Sequence, residues 1–275
     1  MDASLDHVGA ALAAARQAGL RAERGEVVCV AANVLVRLEP DSIAARLTGA
    51  TLTFRDSRAY LRREARLAAA LARAGAPVLA PLGGPFEAGG RAVTLWPWVD
   101  TATAGDAAAA GRALRACHEA LDDVDPAPFE PLAMLHEARR LASPDVMPAV
   151  DRSLAALGDV PQRIVHGDSH PGNVLWTADG PLWSDWEDAH LAPLEWDLAC
   201  LVTAARVHGD DFGWAEAALE AHGVAYDPGL LDACVYARVA QGAAYLAFTG
   251  RGGPEALRLR VEWLRAAGGD ALPGH

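Results

Sequence analysis

The sequence predicts an α+β chain of two lobes: a small antiparallel β-rich lobe with one main helix, then a larger, mostly helical lobe. Three observations carry this. Residues 27–47 fall into three short apolar runs separated by breaks. A helix at 5–18, one main amphipathic helix and two further short runs complete the first 98 residues. From residue 106 onward helical periodicity dominates, except for a strand-rich island at 163–184. Runs of strands followed by runs of helices point to segregated layers, so the lobes are placed at 1–98 and 99–275.

Residues 5–18 read as a helix. Val27–Val30, Asn33–Leu38 and Ile43–Leu47 read as strands; Ala31-Ala32 and the turn-like Glu39-Pro40-Asp41-Ser42 separate them, which makes an antiparallel meander. A helix is expected from Ser57 to Ala74, with Gly75 as its stop. Val78–Leu82 and Arg91–Leu95 are expected as two more strands around a Gly-rich turn, and Trp96-Pro97-Trp98-Val99-Asp100 breaks that pattern.

Composition bounds the function. Apolar residues make up 52% and charged residues 22% of the 275, which fits a packed globular chain rather than a disordered one. All 24 basic residues are Arg, with no Lys at all, and this matters at one site below. The net charge of −12 argues against a nucleic-acid partner and favours a cationic or neutral ligand. Cys29, Cys117, Cys200 and Cys234 form no CxxC pair, so buried reduced thiols in a cytoplasmic protein are expected. The acidic N-terminus does not read as a signal peptide. No uncharged apolar run reaches the ~18 residues of a membrane span.

The chemistry sits in the island. It runs Val165-His166-Gly167-Asp168-Ser169-His170-Pro171-Gly172-Asn173-Val174-Leu175-Trp176, then Thr177-Ala178-Asp179-Gly180-Pro181-Leu182-Trp183-Ser184-Asp185-Trp186-Glu187. Asp179-Gly180 is a hairpin signal between two apolar runs. Antiparallel pairing sets the start of one strand beside the end of the other, so Asn173 and Asp185 are expected at one end of the hairpin. Asp168 precedes Asn173 on a Pro-Gly loop. Such oxygen ligands suit Mg²⁺, which takes few protein oxygens and completes its shell from phosphates and water.

His166-x-Asp168-x4-Asn173 with Asp185 after a hairpin resembles the catalytic and metal-binding segments of the protein-kinase-like fold. Gly167 and the His-Pro-Gly-Asn ending resemble its aminoglycoside phosphotransferase branch, which includes choline-kinase-like small-molecule kinases. The motif covers about 30 residues, and the order of lobes extends the likeness over most of the chain. The resemblance implies a kinase that moves the γ-phosphoryl group of ATP, or GTP, to a hydroxyl of a small molecule. Asp168 would be the catalytic carboxylate, Asn173 and Asp185 would hold Mg²⁺, and His166 would be scaffold. His170 is read as loop packing or chemistry. Asp197 is read as a brace of the catalytic loop or as an ordinary acid in a first helical turn. Glu187 and Asp188 either line an acceptor pocket or begin a solvated helix.

The family also implies a strand-borne cation on the phosphates, paired to a helix Glu. Arg46 stands in that place, and Glu64 shares an apolar helix face with Tyr60, Leu67 and Leu71 and therefore needs a partner. A plain surface Arg46 is the alternative. The phosphate loop lacks its usual Gly or Ser, leaving Asn33 as a polar contact. The Trp96 carbonyl and the Trp98 N–H fall where adenine would be read, with core packing the alternative for both side chains. The acidic balance suits a cationic antibiotic or amine as acceptor, hence antibiotic resistance; a metabolic or biosynthetic alcohol is the alternative. Two other readings compete: a metal-dependent hydrolase using His166, Asp168 and His170, and a kinase-like binding protein without transfer.

Overall fold

The computed structural model describes residues 3–31, 33–49, 56–102 and 105–268. Met1, Asp2 and Ala32, used above in reading the N-terminus and the first break, lie outside them. In chain order the elements are α1 (Ala3–Gln17), β1 (Ala22–Val30), β2 (Asn33–Pro40), β3 (Ile43–Thr48), α2 (Ser57–Arg73), β4 (Gly83–Ala88) and β5 (Arg91–Pro97). Then follow α3 (Ala107–Leu121), α4 (Ala133–Leu141), α5 (Met147–Leu157), β6 (Arg163–Val165), β7 (Val174–Thr177), β8 (Gly180–Trp183) and β9 (His190–Ala192). The last four are α6 (Glu195–His208), α7 (Phe212–His222), α8 (Pro228–Thr249) and α9 (Gly253–Ala267). None of the described helices is long and apolar enough to cross a membrane.

The chain forms two compact units, Met1–Ala104 with Leu175–Glu187, and Gly105–Val174 with Asp188–His275. The hairpin assigned by sequence to the second lobe therefore groups with the first unit. Its backbone explains why: the Trp183 N–H donates to the Pro77 carbonyl at 2.8 Å, and the Ala102 N–H to the Trp176 carbonyl at 3.0 Å.

The first unit is built on an antiparallel five-stranded sheet of order β1-β2-β3-β5-β4. Strand period sorts its side chains. Val34, Val36, Leu38, Ile43, Ala45 and Leu47 form one buried face, covered by Ala10, Ala11, Ala14 and Ala15 of α1. The helix read at 5–18 is thus α1, and the main helix of the lobe is α2. Arg46 alternates with Ala45 and Leu47, so it faces the other way and pairs across the ladder with Leu35 and Thr94. There α2 brings Glu64, buried among Leu61, Ala65, Leu67, Ala68 and Leu71. Asp56 caps α2 by accepting the N–H groups of Arg58 and Ala59.

Two strand expectations change. Val78–Leu82 forms no strand; Val78 bridges Trp183 of the hairpin instead. The partner of β5 is Gly83–Ala88, whose Gly-Gly-Pro start disguises a strand and carries a register shift between Gly83 and Phe86. No disulfide links the described cysteines; Cys117, Cys200 and Cys234 are buried, but Cys29 is exposed on β1.

In the second unit α8 is the central helix. Its Tyr236, Val239, Ala240, Ala243 and Ala244 pack with Ala138 of α4, Val146, Ala149 and Val150 near α5, and Leu264 of α9. A short β6–β9 ladder pairs Val165 with His190 and so places the 166–173 loop. α3 and α7 approach closely: a Cβ at Gly111 would lie 2.1 Å from the Ala218 carbonyl oxygen. At this contact His118 Nδ1 lies 2.9 Å from His222 Nε2, and His118 Nε2 lies 2.8 Å from Asp197 Oδ2. A carboxylate only accepts, so His118 donates from Nε2, and in its neutral form accepts at Nδ1 from His222.

Burial, and then the charge of His118, push the His222 pKa down from 6.5 to about 4. A histidine whose folded value is depressed binds its proton more readily in the unfolded chain. Its contribution is therefore present above pH 6.5 and is lost as pH falls toward 4. The loss is on the order of 2–3 kcal/mol. The melting temperature should fall between pH 6.5 and pH 4. His222→Gln keeps a donor for His118 without titrating and should flatten that slope, whereas parallel slopes for both proteins would remove His222 as the source.

Candidate active site

The loop from His166 to Asn173 is fixed from below by one buried carboxylate. Asp197, in the first turn of α6, accepts the His166 N–H at 2.7 Å and the Gly167 N–H at 2.9 Å, and its carbonyl accepts from the Ser169 hydroxyl at 2.9 Å. Burial alone would raise its pKa, but the hydrogen bond and charge of His118, with His166, hold it at about 2. Asp197 is therefore a brace of the loop as well as a first-turn acid. Gly167 has φ +89° and passes so close to the next segment that a Cβ would lie 2.1 Å from the Asp188 carbonyl oxygen. Only glycine fits there.

Asp168 projects from this loop. Arg238 of α8 donates Nη2–H to its Oδ1 at 2.5 Å. The Asn173 amide donates to the Asp168 carbonyl at 2.8 Å. Burial works to raise the Asp168 pKa, but Arg238, with His170 and His166, holds it well below the usual carboxylate range. It is ionised at any working pH. His166 Nδ1 accepts the Asp168 N–H at 3.3 Å, and His170 Nδ1 accepts the Gly172 N–H at 3.0 Å. Both histidines thus serve the loop, which does not favour the hydrolase reading. Among the described residues no three His, Cys, Asp or Glu side chains gather as metal ligands.

Asp185 belongs to the first unit. It follows β8 by two residues with φ +66°, a left-handed conformation that Asp tolerates better than most. Arg46 binds it and two other acids: Glu64 Oε1 at 2.5 Å, Asp185 Oδ1 at 2.6 Å and Glu187 Oε2 at 3.0 Å. Burial works against the guanidinium charge, but Asp185, Glu64 and Glu187 together raise its pKa well above the ordinary value. Arg46 is no plain surface residue. Glu187 begins no solvated helix: it is buried, takes the Asn33 amide N–H at 3.0 Å, and its carbonyl accepts from Arg63 at 2.7 Å. Asn33, read from sequence as a phosphate contact, is engaged by Glu187 here.

The segment after β5 departs from expectation. β5 runs through Trp96 to Pro97, and the Trp98 N–H, expected to face adenine, donates to the Ser42 carbonyl at 2.7 Å. Continuing the β3–β5 ladder by one bond satisfies that group within the sheet. The Trp96 indole is buried and donates to Thr94 Oγ1 at 3.0 Å, while Arg37 lies over the Trp98 ring at 4.7 Å. Both side chains are packing residues.

Sequence reasoning missed Arg238 and misplaced Glu187. The signal for Arg238 was the one that found Glu64: a charge inside an apolar helical run needs a partner. For Glu187 there was none, because a 3₁₀ turn after a hairpin has no periodicity to show which way a side chain points.

Comparison with curated proteins gives no match. Among solved structures the chain is similar to the amicoumacin kinase hAmiN in complex with AMP-PNP, Ca²⁺ and Ami, with TM-score 0.70 and 16% identity over 91% of this chain and 90% of that one. It is similar to the choline kinase LicA from Streptococcus pneumoniae, with TM-score 0.66 and 14% identity over 94% and 98%. It is also similar to the aminoglycoside phosphotransferase APH(3'')-Id from Streptomyces rimosus, with TM-score 0.59 and 20% identity over 84% and 97%. Likeness at these identities establishes the protein-kinase-like fold. The sequence profile of the phosphotransferase enzyme family matches residues 34–234, well over half of the chain and inclusive of Arg46, Asp168, Asn173 and Asp185; the chain belongs to that family.

Proposed function

We propose that the chain transfers the γ-phosphoryl group of ATP to a hydroxyl of a small molecule. The observation that carries this reading is the Asp168 carboxylate, ionised and fixed on a loop whose amides Asp197 grips. An ionised carboxylate held in place is what a hydroxyl needs in order to be aimed and relieved of its proton. The acceptor proton passes to Asp168 as the acceptor oxygen bonds to the γ-phosphorus. The bond from that phosphorus to its bridging oxygen breaks, and ADP leaves with the electron pair.

The residues present fit a divalent cation. Among the described residues, Arg46 is shared by three carboxylates, Glu64, Asp185 and Glu187. Asp185 and Asn173 carry the hard oxygen donors that magnesium takes. These two would hold Mg²⁺, which when bound neutralises phosphate charge. Arg46 keeps Glu64 on one prong and offers the other to a phosphate oxygen, a division that its forked guanidinium permits. Asn33 exchanges Glu187 for phosphate. Hydroxylated antibiotics, choline and sugar amines form the acceptor panel, because similar proteins are kinases of amicoumacin, choline and aminoglycosides. The panel is run with ATP and with GTP.

Asp168→Ala should lower turnover by about 10²–10⁴-fold and leave Mg-ATP affinity, read by calorimetry, nearly intact. Turnover that survives in this variant removes the assigned role. Asp185→Ala should weaken ATP binding in the presence of Mg²⁺ and leave it unchanged in EDTA. Equal affinity for wild type and variant with Mg²⁺ places the metal elsewhere. ATP binding with no transfer across the whole panel would favour a binding protein.

A further inference from the structure

Arg238 interrupts the apolar run of α8, between the buried Ala237 and Val239. A charge in such a place is costly unless paired. Its guanidinium is held on several sides. Nη2 donates to Asp168 Oδ1 at 2.5 Å; Nη1 donates to the Gly167 carbonyl at 3.2 Å and to Gln241 Oε1 at 2.5 Å. The Trp196 ring lies 5.6 Å away, and its indole N–H donates to the same Gly167 carbonyl at 2.9 Å. A planar group tied at these points does not swing. The two oxygens of Asp168 are therefore unlike. Oδ1 is taken by Arg238, while among the described residues Oδ2 meets the Asn173 amide and His170 Nε2, each at the longer distance of 3.4 Å.

We propose that Arg238 is a positioning residue of the transfer reaction: by fixing Asp168 Oδ1 and the Gly167 carbonyl together, it turns Oδ2 toward the acceptor hydroxyl. The inference rests on the transfer reading above and adds to it which oxygen acts and what aims it. A guanidinium on a general base weakens that base. Phosphoryl transfer tolerates this, because its loose transition state asks more for alignment of the acceptor oxygen than for early proton removal. A base oriented by a third group is the arrangement expected where alignment dominates.

The test uses Arg238→Met, Arg238→Lys, Asp168→Asn and the double variant Asp168→Asn/Arg238→Met on the full chain. It reads kcat, the KM of both substrates, Mg-ATP affinity and melting temperature. Arg238→Met should lower kcat about 10²-fold with KM for ATP unchanged. Arg238→Lys, which keeps the charge but not the fork, should recover roughly a tenth of wild-type kcat. The second substitution should cost nothing further in the Asp168→Asn background, because Arg238 then has no carboxylate to aim. A kcat within about threefold of wild type in Arg238→Met overturns the proposal, as does an undiminished loss in the Asp168→Asn background. If Arg238→Met does not fold, Arg238→Lys decides alone: its kcat falls about tenfold, or it stays at the wild-type value and the proposal fails. If the wild type transfers phosphate to no acceptor, the transfer reading fails by itself. The aiming role is then read from a crystal structure of Arg238→Lys, in which a rotated Asp168 carboxylate supports it and an unmoved one overturns it.

Discussion

The Asp197 carboxylate, buried without solvent contact, holds the loop from His166 to Asn173 by its peptide groups. Two backbone N–H groups that no strand or helix could satisfy find their acceptor there, and a carboxylate accepting amide hydrogens makes hydrogen bonds about twice as strong as neutral ones. The arrangement dictates much around it. Gly167 must be glycine, because the chain turns through a positive φ against the Asp188 carbonyl. His118 must be present as a donor, because a buried carboxylate with an unmet lone pair is destabilising. Trp196, one residue before Asp197, reaches back to the Gly167 carbonyl. Asp168 then inherits its position from a scaffold in which each neighbouring polar group is already committed.

The first unit solves a different problem with a similar device. A sheet strand buries every second side chain, so a cation on β3 must face either the α1 side or the α2 side. Arg46 faces α2, and Glu64 waits there on a helix otherwise lined with Leu and Ala. The absence of lysine from the chain decides the chemistry of that contact. An ammonium is a point charge; a guanidinium presents a flat fork, and this one spans Glu64, Asp185 and Glu187 at once.

Much of this was legible in the sequence, and the reasons differ by residue. Arg46 and Glu64 were legible because period 2 on β3 and period 3.6 on α2 fix which way each points. The hairpin between Asn173 and Asp185 was legible from the Asp179-Gly180 turn signal, and it forms as β7–β8. The hairpin's grouping with the first unit was not, because it depends on backbone bonds from Pro77 and Ala102, which no pattern announces. Gly83–Ala88 was hidden by residues that disfavour strands, and the intended strand at Val78–Leu82 is interrupted by Pro81, which has no N–H to give a ladder. The Trp98 N–H was misjudged because family geometry placed it facing a ligand, whereas the end of β5 offered it the nearer Ser42 carbonyl.

Within each unit one partly exposed carboxylate is matched by one arginine: Asp185 by Arg46 and Asp168 by Arg238. In both pairs the arginine is the more buried partner, at 15% side-chain exposure, against 38% for Asp185 and 28% for Asp168. This ordering follows from the cost of burying charge. The cation sits deep and keeps a permanent second acceptor, Glu64 for Arg46 and Gln241 for Arg238. The carboxylate sits shallow, where incoming groups reach it. A ligand that takes Asp185 from Arg46, or a hydroxyl that meets Asp168, then leaves no buried guanidinium without a partner. The exchange trades one charge-assisted hydrogen bond for another instead of exposing a desolvated charge. A forked cation anchored on one side and exchangeable on the other is what the guanidinium supplies to a chain without lysine.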